Sequence, residues 1–311
     1  MPQRSTDHPP DPLRPVSGSA DRPADPNSAV LRTICAPGPS ADSALAELLE
    51  DPDLEWGALL ATAVDNKAVC LLADHLARIP RPRALSWHMA RLLESSLRTN
   101  RYKTTVFRRE TLRVLDALHD AGLRALALHG IAVESRLYGG RGARQFSDAD
   151  ILLAPEDHAP AITVLHGLGY RVAHHGRALA LTLDDPIVPR VTVDLTQSLA
   201  HTNDPAELRH SLDRSISWPL PDGCSRLAVL SDLDALAHHL ARLASSHRWS
   251  GYADAIRSFH SCGPDSFQLL AFVLPSPARD GWDQLRREWP DLPDDPIAAL
   301  HDDVTTRGDQ P

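Results

Sequence analysis

A chain of 311 residues with 42% hydrophobic and 23% charged content is ordinary for a globular protein and long enough for a substantial core. Its net charge of −9 disfavours broad electrostatic binding of nucleic acid. The four cysteines (Cys35, Cys70, Cys224, Cys262) form no C-x-x-C pair, no apolar run reaches the length of a membrane span, and no apolar leader opens the chain. Reduced thiols and a cytoplasmic location are therefore expected.

In chain order, residues 1–38 are rich in Pro, Asp, Ser and Arg and read as a disordered tail. A helical region covers 39–121. Ser40 or Asp42 caps its first helix, others start near Asp53 and Val69, and a long one runs from about Ala84 to Ala121, stopped by Gly122. Its middle is basic, with Arg98, Arg101, Lys103, Arg108, Arg109 and Arg113. The core, 122–200, alternates: strand Arg124–Leu128, helix Ile131–Tyr138, a Gly/Arg loop, and strand Asp148–Ala154. A helix opened by Pro155 follows, then strands Tyr170–His174, Ala178–Leu183 and Arg190–Leu195. This is an α+β arrangement, a small mixed sheet with two helices on one face. Residues 201–289 return to helices near 205–213, 232–246, 252–260 and 265–272, and 290–311 read as a second disordered tail.

The chemistry gathers on three acids. Side chains on a strand alternate faces, so Asp148 and Asp150 point one way and Ala149 the other. In Val191–Leu195 the apolar residues face a core while Thr192 and Asp194 share the opposite side. Should these strands be neighbours, three carboxylates meet, which is unfavourable without a cation. Mg²⁺, or Mn²⁺ in its place, suits oxygen ligands and substrate phosphates. Gly130, between a strand and a helix N-terminus, can present backbone N–H groups to an anion, with His129 beside it. Arg144, four residues before Asp148, offers a fork of donors to a phosphate. Together these features suggest a metal-bound nucleoside triphosphate.

At this point the chain resembles the polymerase-β-type nucleotidyltransferase superfamily, and within it uncharacterised bacterial nucleotidyltransferases with Lys-Gly, a gap, then Arg-x-x-x-Asp-x-Asp. The resemblance spans roughly Leu112 to Phe259. It places the glycine on Gly130, the arginine on Arg144, the paired aspartates on Asp148 and Asp150, and the third carboxylate on Asp194. The lysine's place is taken by His129, a departure. Leu165 to Tyr170 is similar to the end of the helix after the metal strand, and His239, His247 and Asp254 to the family's His-rich C-terminal helices. The resemblance implies a nucleotidyltransferase palm flanked by helices. Asp148, Asp150 and Asp194 would be its metal ligands and catalytic residues, and His129, Gly130 and Arg144 its nucleotide-binding residues. The expected partners are a nucleoside triphosphate, with ATP favoured, and an acceptor that is a small molecule or peptide rather than nucleic acid. No membrane is involved. Zinc is not expected, since His239 and His247 lie two turns apart without a further ligand. A glycosyltransferase or phosphatase use of Asp-x-Asp is disfavoured, because a Gly/Arg loop and a long helical region precede it. A degenerate nucleotide- or partner-binding module is the alternative that His129 keeps open.

Overall fold

The computed structural model describes residues 25–175, 179–183, 191–262 and 274–294. Order begins earlier than the composition suggests. Asp25 caps helix α1 (Pro26–Cys35) by accepting from the Asn27 and Ser28 N–H groups, and Pro26 occupies the first turn, where its missing donor costs nothing. Val30, Leu31, Ile34 and Cys35 are buried, so the expectation of disorder through residue 38 is corrected here. The remainder of both expected tails, 1–24 and 295–311, lies outside the described residues, as does the helix expected at 265–272.

Helices α2 (Pro39–Leu48), α3 (Trp56–Asp65) and α4 (Val69–Leu76) follow, then α5 (Trp87–Asp120). Ser86 caps α5, accepting from the Met89 N–H, and Gly122, at φ +78°, ends the run just beyond it. With 34 residues, α5 is ~50 Å long and takes part in two cores. Its first half gives Leu93 and Leu97 to a helical core shared by α1–α4 with α9 (Asp232–Ser245), α10 (Trp249–Ser261) and α11 (Ser276–Glu288). Its second half gives Phe107, Val114, Leu115 and Leu118 to the core against the sheet. The N- and C-terminal helical regions, far apart in sequence, thus bury one apolar interior together.

The sheet comprises β1 (Ala125–Leu128), β2 (Ala149–Leu153), β3 (Arg171–His175), β4 (Leu179–Leu183), β5 (Val191–Thr196), β6 (Ile216–Pro219) and β7 (Arg226–Val229), in the order β3-β4-β5-β2-β1-β7-β6. The last two strands fall where only helices are expected and extend the sheet to seven strands. β1 and β2 are antiparallel, whereas β2–β5 and β1–β7 are parallel. Helices α6 (His129–Leu137) and α7 (His158–Gly167) join α5 on one face: Ile131, Ala132, Ala161 and Leu165 pack with Ala149, Ile151, Leu153, Val193 and Leu195. The opposite face, with Leu126, Leu128 and Leu152, meets α8 (Pro205–Asp213) through Leu208 and Leu212, together with Ala235 of α9. Helices therefore cover both faces rather than one. Asp150 and Asp194 belong to this second face.

Candidate functional site

Three segments converge at one end of β1, β2 and β5. In β2–β5 pairing, Asp150 stands directly opposite Asp194, and Asp150 also faces Leu128 of β1. Neighbouring strands lie about 4.8 Å apart, so residues paired across them sit side by side on one face of the sheet. The apolar residues of β5 (Val191, Val193, Leu195) are buried, while Thr192, Asp194 and Thr196 are only partly so, the alternation expected from sequence. Asp148, one residue before β2, shares Asp150's parity and accepts from the Ser147 hydroxyl at 3.2 Å.

Their electrostatics follow from this placement. Burial, then the neighbouring charges of Asp148 and Asp194, push the Asp150 carboxyl up to about 7, against the pull of Arg242 and Arg144. Asp194 is raised by burial and by Asp148. Its Oδ1 is buried without a hydrogen-bond partner, a costly condition that a cation would relieve. Carboxylate oxygens are the donors a hard divalent ion takes. Among the described residues, however, no group of three His, Cys, Asp or Glu side chains is already drawn together enough to hold a metal ion. The donor chemistry of Asp148, Asp150 and Asp194 fits such an ion.

The β1–α6 turn carries His129 at φ +48°, in the left-handed region, and Gly130 with φ +6° and ψ −94°. A non-glycine residue rarely stays there without surrounding constraint. A Cβ on Gly130 would lie 3.1 Å from the Asp148 carbonyl oxygen and 3.2 Å from the Phe146 ring, so glycine lets the acid-bearing loop press onto the turn.

That loop, residues 139–147, is bolted down from two helices. Glu134 of α6, fully buried, accepts from the N–H groups of Gly142 and Arg144, both at 2.6 Å. Asn100 of α5 donates to the carbonyls of Gly142 (2.7 Å) and Arg144 (3.0 Å), and Lys103 donates to that of Phe146. Gly142, at φ +76°, passes so close to α5 that a Cβ would sit 2.9 Å from the Arg101 backbone. Burial pushes the Glu134 carboxyl up to about 7 even though both N–H groups pull it down.

Arg144 is placed differently from the expected phosphate fork. Its Nε and Nη2 meet the Asp254 carboxylate at 2.8–2.9 Å, Nη1 donates to the Gln145 carbonyl, and the Tyr138 hydroxyl donates to Asp254 at 2.8 Å. The guanidinium therefore ties the loop to α10, while its charge still reaches Asp150 and His129. His239 contacts the Ser258 hydroxyl at 2.6 Å and His247 the Gln284 amide, so this His-rich stretch orders the C-terminal helices.

His129 meets two partners from α9. His238 accepts the Ala200 N–H on Nδ1, which leaves the proton on Nε2, 3.1 Å from His129 Nε2. The Arg242 guanidinium donates to His129 Nε2. Burial, then the charges of Arg242, His239 and Arg144, hold His129 well below its ordinary range, so the ring is neutral. Glu134 and Arg242 do not stand out in the sequence. An acid inside the apolar stretch I-A-V-E was the available signal for Glu134. His238 and Arg242 are identified by contacts spanning 109 and 113 residues, for which no local pattern exists.

A family profile described as "Uncharacterised nucleotidyltransferase" matches residues 52–259. Among solved structures, the chain is similar to that of an antigenic nucleotidyltransferase-like protein from Paracoccidioides brasiliensis, at 14% identity and a TM-score of 0.46, over 63% of this chain and 92% of that one. No curated protein matches the chain.

Proposed function

Because the chain belongs to the uncharacterised nucleotidyltransferase family, we propose that it transfers a nucleoside monophosphate group from a nucleoside triphosphate to an acceptor hydroxyl. The observation that carries this reading is the opposition of Asp150 and Asp194 across β2–β5, with Asp148 on the same side; burial and then the like charge of Asp148 raise the Asp150 carboxyl accordingly. Asp148, Asp150 and Asp194 are the residues that would hold Mg²⁺ or Mn²⁺. Such an ion, when bound, neutralises the charge that builds on the transferring phosphate. Asp194, with an unpartnered buried oxygen, is the group to take the proton from the acceptor hydroxyl. The deprotonated acceptor oxygen then bonds to the α-phosphorus, the bond from that phosphorus to the α–β bridging oxygen breaks, and pyrophosphate leaves. The N–H groups at the Gly130 turn face the phosphates, while Glu134, Asn100 and the Arg144–Asp254 pair hold the acid loop in register.

ATP is the favoured donor, and the net charge of −9 favours a small molecule or peptide over nucleic acid as acceptor. Among the described residues no helix is long and apolar enough to cross a membrane. The test is to incubate the protein with each of four labelled nucleoside triphosphates, Mg²⁺ and cell extract, following pyrophosphate release and adduct mass. Wild type should yield a nucleotide adduct and Asp150→Asn none; full activity in Asp150→Asn overturns the assignment. A second reading, nucleotide binding without turnover, draws on His129, an imidazole held neutral by burial and by Arg242 in the place where the family has a lysine. It predicts binding with no pyrophosphate release.

A further inference from the structure

A polyphosphate arriving beside three carboxylates needs cations of the protein's own, and most nearby ones are already engaged. Arg144 is held by Asp254. Lys103 is half-buried and donates to the Phe146 carbonyl. Arg136 is buried, donates to the Leu230 carbonyl at 2.9 Å, pairs with Asp232 and lies over the Trp218 ring. Arg101 bonds the Arg141 carbonyl and sits 3.6 Å from Asp74.

Arg242 differs. It lies in the last turn of α9 and is exposed between buried Ala241 and Leu243, and its guanidinium reaches back to the β1–α6 turn, where it donates to His129 Nε2. We propose that Arg242 is the phosphate-gripping residue of the site, aimed by His129 across the β1–α6 turn. The assignment rests on the nucleotidyl-transfer reading and names the group that meets the triphosphate.

The geometry suits the task. A guanidinium has five N–H donors in a planar fork; one contact with His129 fixes its direction and leaves the others for phosphate oxygens. His129 also packs against the His238 ring at a centroid distance of 4.5 Å, and His238 is itself anchored through Nδ1 by the Ala200 N–H. A neutral imidazole in this place accepts from the arginine, where a protonated one would repel it. Arg242 meets His129, the residue after Leu128, and Leu128 stands opposite Asp150 in the β1–β2 pair, so the guanidinium lies beside the acids that define the transfer point.

The test uses magnesium tripolyphosphate, which carries the charge of the donor without a base, titrated calorimetrically into the full chain at low salt. Arg242→Ala should weaken binding tenfold or more. Arg242→Lys should recover most of it, and the gap between wild type and Arg242→Ala should shrink at 0.5 M salt, as expected for a charge contact. Because Arg242 is exposed, both variants should keep the wild-type circular dichroism and melting temperature. Equal affinity in wild type and Arg242→Ala, or no binding by wild type, overturns the assignment. Asp150→Asn, assayed in parallel for nucleotide transfer, separates the two ideas. If Asp150→Asn is inactive while Arg242→Ala binds normally, only the role of Arg242 falls; if Asp150→Asn turns over fully, the underlying reading falls with it.

Discussion

Replacing Glu134 with glutamine probes how the acid loop is held. The carboxylate accepts two backbone N–H groups at 2.6 Å, from Gly142 and Arg144, in a fully buried position. Glutamine keeps the shape but has one acceptor oxygen, so one N–H loses its partner and faces an amide NH₂. An unsatisfied buried donor costs about 1–3 kcal/mol. The effect depends on pH in a direction that can be fixed beforehand. Burial raises the Glu134 carboxyl from the ordinary 4.5 to about 7, so the folded state holds its proton more tightly than the unfolded chain. The group's contribution is thus most favourable below about 4.5, is lost as pH rises toward 7, and is flat above. At about 1.4 kcal/mol per tenfold change in proton affinity, the loss is on the order of 3 kcal/mol. Glutamine has no such dependence. Urea unfolding of both proteins at pH 5 and pH 8 should show Glu134→Gln less stable at pH 5, with the deficit shrinking or reversing at pH 8. A deficit that stays constant across the two pH values refutes the reasoning.

Other outcomes follow from the same contacts. Asp254→Asn leaves the buried Arg144 guanidinium without its charge partner and should cost about 3–5 kcal/mol in chemical denaturation, whereas Tyr138→Phe, losing one 2.8 Å bond to Asp254, should cost about 1 kcal/mol. Gly130→Ala forces a Cβ against the Asp148 carbonyl and the Phe146 ring; a loss of about 1–3 kcal/mol is expected in thermal melts, with a larger drop in nucleotide transfer than in stability. Asp150→Asn should abolish transfer yet raise the melting temperature, because it removes one of three crowded charges. A fall in melting temperature would show that the acids are mutually stabilised in the resting protein.

The parts legible in sequence were those written in local periodicity. Alternation in 148–153 puts Asp148 and Asp150 on one side of their strand, and alternation in 191–195 puts Asp194 opposite its strand's apolar residues; the β2–β5 pairing brings Asp150 and Asp194 opposite each other. Gly122 marked the end of α5. Strands β6 and β7, four residues each, are too short for alternation to outweigh the helical stretches around them. Helix α1 was masked by the prolines about it, although Asp25-Pro26 is itself a cap and first turn. The fork of Arg144 is legible as a set of donors, but its acceptor, Asp254, lies 110 residues away, and the pairing comes from packing α10 against α6 rather than from local pattern.

The proposed chemistry needs three acids that gather a divalent ion. Electron paramagnetic resonance of Mn²⁺ titrated into wild type, Asp150→Asn and Asp194→Asn reports that directly. Bound ion in wild type, lost in both variants while their circular dichroism is unchanged, is the predicted result. Equal Mn²⁺ binding by all three proteins, or none by wild type, would contradict it.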